Sequence, residues 1–323
     1  MTRVLITGIA GQDGSYLAER LCAQGYDVHG IVRPESLADL GHSPNLEHVR
    51  KKITLHGTSL DDRDAIAALI ASLKPDQCYH LASPTLVTSA FMRELSQLTT
   101  AVNSVHHFLS ALCTSAPSCR FFFAGSSEMF GHAPAEPQNE STPFNPRSIY
   151  GIAKLAGHHL VVNFRREYGL FACTGILYNH ESPRRSPQFV TRKVTMAAAR
   201  ISLGLEKEVR LGNIEALRDW GYAPEYVHAM QLMAEAPEPR DHVISTGVAR
   251  PVRALLEQAF GAVGLDYRKY LVTDPSLFRP QEAVTLRGDS SALRSRLGWK
   301  PVKPFGEIID EMVQHDLKLA RVH

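Results

Sequence analysis

The chain has 323 residues, enough to bury a substantial core and to form one large α/β unit or a large domain with a smaller lobe. With 35 basic against 33 acidic residues and a net charge of +2, it lacks the broad field that would hold nucleic acid or an anionic membrane, so basic residues are expected to act singly on small anionic ligands. Its five cysteines (Cys22, Cys78, Cys113, Cys119, Cys173) are odd in number and show no Cys-x-x-Cys spacing, which argues against a disulfide framework or a metal site and for a reducing cytoplasm. No apolar leader precedes Arg3-Val-Leu-Ile-Thr7 and no run of about 18 apolar residues follows, so neither secretion nor membrane spanning is expected.

Residues 3–7 read as a short apolar strand, residues 14–24 as a helix with Tyr16, Leu17, Leu21 and Cys22 on one face, and residues 26–32 as a second strand. This order opens a doubly wound nucleotide-binding sheet. Alternation continues with a strand at 53–56, a helix over 61–73, a strand at 77–82 and a helix ending near Leu112. The run Phe121-Phe-Phe-Ala124 suits a central parallel strand covered on both faces. Residues 132–147, rich in Pro and polar side chains, read as a loop leading into a helix that carries Tyr150. A strand over 171–177 follows, then a polar loop at 179–185 and a helix over 190–203. The expected fold is therefore a Rossmann-type doubly wound parallel sheet in residues 1–178 with a smaller C-terminal α/β substrate-binding lobe mainly in 179–323, some later chain returning to the first domain.

Gly8, Gly11 and Gly14 follow the first strand at Gly-x-x-Gly-x-x-Gly spacing, where glycines allow a tight turn, close approach to a pyrophosphate and close helix packing. Where an acidic residue would favour a free ribose hydroxyl, Arg33 stands instead and suits a 2′-phosphate, so NADP is expected over NAD; a solvated Arg33 paired with Glu35 is the plainer alternative. Ser126 and Glu128, two apart in an extended backbone, project to one side while Ser127 points away. A loop-capping Ser and a solvent-facing Glu would have the same spelling. Tyr150 and Lys154 share a helix face, where an ammonium beside a phenol would stabilise phenolate. A carboxylate that removes a carbon-bound proton needs that carbon acidified first, and oxidation of a neighbouring alcohol does this, which joins Glu128 to Tyr150.

The segments Thr7-Gly-Ile-Ala-Gly-Gln-Asp-Gly14, Ser126-Ser-Glu128, Tyr150-Gly-Ile-Ala-Lys154, Gly175-Ile-Leu-Tyr-Asn-His-Glu-Ser-Pro183, Phe189-Val-Thr-Arg-Lys193, Arg218-Asp-Trp-Gly221 and Phe278-Arg-Pro-Gln-Glu282 are similar to the extended short-chain dehydrogenase/reductase superfamily and, within it, most closely resemble the GDP-mannose 4,6-dehydratase family. The resemblance covers nearly the whole chain. It implies Ser126, Glu128, Tyr150 and Lys154 as catalytic residues. Cofactor contacts are implied for Gly8, Gly11, Gln12, Asp13, Gly14, Arg33, Leu81, Ala82, Tyr150, Lys154 and His180. Sugar-nucleotide contacts are implied for Thr85, Ser126, Glu128, Asn179, Val190, Lys193, Arg218, Arg279 and Glu282. The chemistry agrees, since Lys and Arg suit a pyrophosphate and Glu accepts from guanine or ribose. An exposed charge or local salt bridge is the plainer reading of each basic residue. Trp220 reads as core. The sequence departs from the family pattern at Ser126 (usually Thr), Pro84, Thr85, Pro34, Thr58 and Thr99, most of them around the cofactor.

The implied activity is NADP-dependent dehydration of a GDP-linked hexose with the cofactor regenerated at each turnover. A reductase or epimerase on the same scaffold, or a non-catalytic binder of NADP or nucleotide sugar, are the alternatives. The resemblance also implies a homodimer or homotetramer, with helices near 95–112 and 150–166 as a dimer core; the expectation here is a dimer.

Overall fold

The computed structural model describes residues 1–37, 43–83, 91–278 and 285–322, with the side chains of 91–94 left aside. Strands β1 (Arg3–Thr7), β2 (Asp27–Val32), β3 (Ile53–Gly57), β4 (Gln77–His80), β5 (Arg120–Ala124) and β6 (Ala172–Leu177) alternate with helices α1 (Gln12–Ala23), α2 (Arg63–Leu73), α3 (Phe91–Ser115) and α4 (Ile149–Tyr168). A later strand, β10 (His242–Ile244), returns beside β6. The resulting seven-stranded sheet runs β3-β2-β1-β4-β5-β6-β10, with every pairing parallel.

The aromatic run of β5 explains its central place. Phe121 and Phe123 pack with Leu5, Phe108 and Leu112 on one face, whereas Phe122 and Ala124 join Val4, Leu17 and Tyr226 on the other. A strand apolar on both sides is stable only between two helical layers. Tyr226 comes from α6 (Ala223–Glu235), which packs against α1.

The C-terminal part builds a separate cluster around Val194, Trp220, Leu256, Phe260, Ile309 and Met312. These side chains belong to α5 (Val190–Ser202), β9 (Leu217–Tyr222), α7 (Val252–Gly261) and α9 (Phe305–Val322). Trp220 is buried and stacks on Phe305, centroids 5.6 Å apart, as core packing requires. Strand β9 lies between β7 (Asn179–Glu181) and β11 (Ala249–Pro251), and β8 (Val209–Leu211) pairs with β12 (Leu271–Thr273). A short α8 (Ser291–Leu297) completes the chain order.

Several expected bounds shift. Helix α1 starts at Gln12, so Asp13 is in its first turn; β4 ends at His80, and α3 continues to Ser115. The polar stretch at 179–185 is not all loop: Asn179, His180 and Glu181 form β7, in register with Trp220, Gly221 and Tyr222 of β9. Polar side chains hid this strand because their partners lie inside the protein.

Helix α1 sits so close to the turn before it that a Cβ at Gly14 would lie 2.6 Å from Ile9 Cα and meet the Gly8 carbonyl. Backbone cannot yield as a flexible side chain can. Gly14→Ala is expected to lower the unfolding free energy by about 1–3 kcal/mol, read as a reduced urea midpoint at unchanged slope.

Candidate active site

The sheet order reverses at β1, whose neighbours β2 and β4 carry the chain away in opposite directions, and ligands of such sheets lie beyond the strand ends at that point. Gly8 turns the chain there at φ +71°, and a Cβ on it would come 3.0 Å from Ala82 N and Cα. Gly11 N–H donates to the Gly8 carbonyl at 3.0 Å. No side chain caps α1, leaving its first amides and positive end for an anion.

Thr7 ties the two sides of this crevice. Its Oγ1 accepts from the Leu81 and Ala82 amides at 3.1 and 3.0 Å, which leaves its proton for His80 Nδ1 at 3.2 Å. His80 Nε2 then donates to Ser104 Oγ at 3.2 Å, and Ser104 to the Ala101 carbonyl. Burial, with Lys154 nearby, drives the His80 imidazole down to about 3, fixing it as a neutral link.

A second tie runs from the glycine-rich turn to β7. Gln12 donates to the His180 carbonyl at 3.0 Å and accepts from Ser182 Oγ at 2.8 Å. His180 places Nδ1 2.7 Å from the Tyr178 carbonyl and Nε2 2.9 Å from Asp13 Oδ2, while its ring stacks on Tyr226 at 4.6 Å. Burial opposes charge on both partners. Even so, the Asp13 carboxylate holds His180 above its usual value, and His180, Gln12 and Arg185 hold Asp13 below its own.

The expected catalytic residues come together at the ends of β5 and α4. Ser126 is extended at φ −151°, but Ser127–Met129 is a 3-10 turn, and the Ser126 hydroxyl accepts from the Glu128 amide at 3.2 Å. The extended-triplet expectation is therefore corrected: a hydroxyl-capped turn, not strand alternation, places Ser126 and Glu128, and Ser127 is buried. Ser148 caps α4 by accepting from Gly151 N–H at 3.0 Å. A Cβ at Gly151 would lie 2.6 Å from the Glu128 carbonyl, so glycine lets α4 sit directly on the turn. Tyr150 thereby lies beside Ser126 and Glu128, with Arg185 and Asp13 close enough to act on it electrostatically.

Lys154 shares the helix face of Tyr150, as its spacing predicts. Burial pushes Tyr150 up to about 12; Ser126 and Arg185 pull against it, and Glu128 and Asp13 add to it. Lys154 Nζ is 5.7 Å from the Tyr150 ring centroid and donates to the Ala124 carbonyl at 2.7 Å. Its own burial lowers it to about 8, with Asp13 opposing. The ammonium thus secures the end of β5 while burial governs the phenol.

Of the remaining expected site residues, Arg33 is exposed with Glu35 3.8 Å away. Asn179 begins β7 next to His180, and Val190 begins α5. Lys193 donates to the Arg210 carbonyl at 2.7 Å, and Arg218 to that of Leu217 at 2.7 Å. Thr85, Arg279 and Glu282 lie outside the described residues, as does Pro84. The divergent Thr58 and Thr99 are placed: the Thr58 amide donates to the Val32 carbonyl, and Thr99 Oγ1 to that of Leu95.

Residue-by-residue reading missed His80, Thr7 and Arg185. The first two are ordinary strand-end residues until the fold joins β1 to β4. Arg185 is 3.2 Å from Glu181 and lies over the Phe189 ring at 3.6 Å, and the pair Arg184-Arg185 directly after Pro183 was the available signal.

The sequence profile of the family described as GDP-mannose 4,6 dehydratase matches residues 5–312. The chain is 43% identical over 328 residues to GDP-mannose 4,6 dehydratase 2 of Arabidopsis thaliana, covering 98% of this chain and 87% of that protein. It is 40% identical over 357 residues to GDP-mannose 4,6-dehydratase of Vibrio cholerae, covering 99% and 95%. Among solved structures, RMD from Pseudomonas aeruginosa complexed with NADPH superposes with a TM-score of 0.82 at 23% identity, covering 99% of this chain and 100% of that one. dTDP-glucose 4,6-dehydratase from Bacillus anthracis in complex with NAD gives 0.84 at 16%, covering 98% and 97%. At such identities these structures speak for the fold alone.

The His180–Asp13 pair has a signed pH dependence. His180, raised, contributes stability that is complete below its usual value of 6.5 and lost as pH rises through its folded value. Asp13, lowered, contributes stability present above its usual 3.8 and lost as pH falls through its folded value. Asp13→Asn should therefore cost most, about 3 kcal/mol, between these two usual values, with the gap to wild type narrowing on either side in urea titrations.

Proposed function

Since the chain belongs to the GDP-mannose 4,6-dehydratase family, we propose that it converts GDP-D-mannose to GDP-4-keto-6-deoxy-D-mannose. The observation that carries this reading is the Ser126–Glu128 turn lying directly under the start of α4, which puts an acid–base carboxylate and a phenol side by side beyond a central strand. A dehydrogenase alone has no use for that carboxylate.

The residues present fit a nicotinamide dinucleotide: the Gly8 turn and uncapped α1 offer amides to a pyrophosphate, and no side chain of the turn fills that approach. When bound, the nucleotide supplies a hydride acceptor at C4 of the sugar and a donor at C6. Tyr150, as phenolate, takes the C4 hydroxyl proton, and Ser126, which lies beside the phenol, holds the C4 oxygen. Burial alone would leave the phenol protonated, up near 12, so Tyr150 must enter this step as phenolate, its own proton released beforehand and the anion favoured by Ser126 and Arg185, with Lys154 Nζ 5.7 Å from the ring. Glu128 removes the C5 proton once C4 is a ketone and passes a proton to the leaving C6 hydroxyl, which departs as water; as C6 takes back the hydride, Tyr150 returns to C5 the proton it took, which restores the phenolate. The apolar surroundings of β5 and closure of the second lobe keep solvent from the ring. Lys154, held by the Ala124 carbonyl, keeps β5 and α4 in register for these transfers.

The finer reading favours NADP. Arg33 sits just past the end of β2 and is exposed beside an equally exposed Glu35, which suits its guanidinium to a 2′-phosphate. In this reading residues 1–178 bind the cofactor and 179–323 mainly the sugar nucleotide, through Asn179, Val190, Lys193, Arg218 and the undescribed Thr85, Arg279 and Glu282. The α3 and α4 helices pack together and expose Leu95, Ile149 and Ile152, which supports a homodimer through that face. No helix of the described residues is long and apolar enough to cross a membrane, and five unbridged cysteines suit a reducing cytoplasm.

Incubation with GDP-mannose should yield a product lighter by one water, with no net appearance of reduced nicotinamide. Tyr150→Phe should lower kcat by about 100- to 10,000-fold while cofactor still binds, and Glu128→Gln should block water loss and C5 exchange with deuterated solvent. A product that keeps its water and consumes reduced cofactor stoichiometrically would make the protein a reductase. In fluorescence titrations Arg33→Ala should weaken NADP binding roughly tenfold and leave NAD binding nearly unchanged.

A further inference from the structure

Arg185 lies close enough to the reacting groups to act on them electrostatically, and its backbone is held from elsewhere in the chain. Its side chain acts on Tyr150, Asp13 and His180, and its local partners are Glu181 and the Phe189 ring. The segment that carries it is a tight turn in which the Arg185 amide donates to the Ser182 carbonyl at 3.0 Å. Two further carbonyls of that turn, those of Pro183 and Arg185, both accept from Nη1 of Arg192, the latter at 3.1 Å.

Arg192 is itself locked. It lies in the first turn of α5 and is buried, with Nε 2.8 Å and Nη2 2.6 Å from Asp316 Oδ1 on α9. Asp316 is buried too and takes a further hydrogen bond from Thr195 Oγ1 at 2.7 Å. An ion pair so placed adds little stability over apolar side chains of the same volume, because desolvation consumes most of its attraction. What apolar side chains cannot supply is a rigid fork that grips a carboxylate on one edge and two carbonyls on the other.

We propose that Arg192, held by Asp316 of the last helix, is a positioning residue for the dehydration: it clasps the Pro183–Arg185 turn and so sets Arg185 against Tyr150 and His180. This inference rests on the dehydratase reading for its kinetic arm only. The C-terminal helix thereby becomes part of the catalytic apparatus without approaching the substrate.

The test is the double variant Arg192→Met with Asp316→Leu, which removes the buried charges together, alongside Arg192→Lys, which keeps the pair with Asp316 but not the fork. Both should fold with a melting temperature near that of wild type, show faster amide exchange confined to residues 182–189, and lose about 10- to 100-fold in kcat with KM for GDP-mannose within about twofold. Adding Arg185→Ala should cost far less in these backgrounds than in wild type. Wild-type exchange at 182–189 in a folded variant, or an undiminished cost of Arg185→Ala, overturns the proposal. If the wild-type protein leaves GDP-mannose unchanged, the dehydratase reading fails on its own, and the exchange measurement, which needs no substrate, still decides whether Arg192 holds the turn.

Discussion

Parallel strands can end in a shared ligand site only where the chain leaves two neighbours in opposite directions, and in this protein that happens between β1 and β4. Much of the site is anchored there. Gly8 and Ala82 approach so closely that a side chain at Gly8 would press on the other strand's backbone, and Thr7 joins the two ends through one oxygen. The His80 behind it, kept neutral by burial and by Lys154 nearby, adds no second charge among Phe108, Phe121 and Phe123.

The second organising effect is burial of polar groups with complete sets of partners. His180 has an acceptor at each ring nitrogen, Arg192 has one at each guanidinium nitrogen, and Lys154 donates to the last carbonyl of β5. Such groups are costly when unpaired and therefore hold the elements they join in a single arrangement. Through them the glycine-rich turn is tied to β7, and the turn after β7 to α5 and α9. The same burial that fixes Tyr150 also disfavours its phenolate, so its work as a base depends on the groups gathered round it, Ser126 and Arg185 among them.

The first six strands of the large sheet were legible because short strand-like runs alternate with turns and helices, with Phe121-Phe-Phe-Ala124 the clearest; β10, which returns from the later chain, was not. Glycines at 8, 11 and 14 and the Tyr150–Lys154 spacing pointed to one end of that sheet, where Gly8, Ser126 and Lys154 lie beyond or beside the strand ends. Strand β7 escaped because Asn179, His180 and Glu181 satisfy themselves against partners distant in sequence, a condition no local pattern records. The Ser126–Glu128 geometry escaped for a related reason: a hydroxyl that can cap a turn and one that projects from a strand have the same spelling. Helix spacing gave the proximity of Lys154 to Tyr150 but not its hydrogen bond to the Ala124 carbonyl, which depends on where β5 ends.

Strand β10 has a consequence for how the chain is made. When β6 leaves the ribosome its outer edge has no neighbour, and it keeps none until Ile244 has been synthesised, after β7, α5, β8, β9 and α6. Until then a six-residue apolar strand presents open amides and carbonyls, a template for pairing with another nascent chain. Ordered growth of the second lobe thus governs how long the nucleotide-binding sheet remains sticky, and expression yield should depend on the later half of the protein reaching its sheet edge promptly.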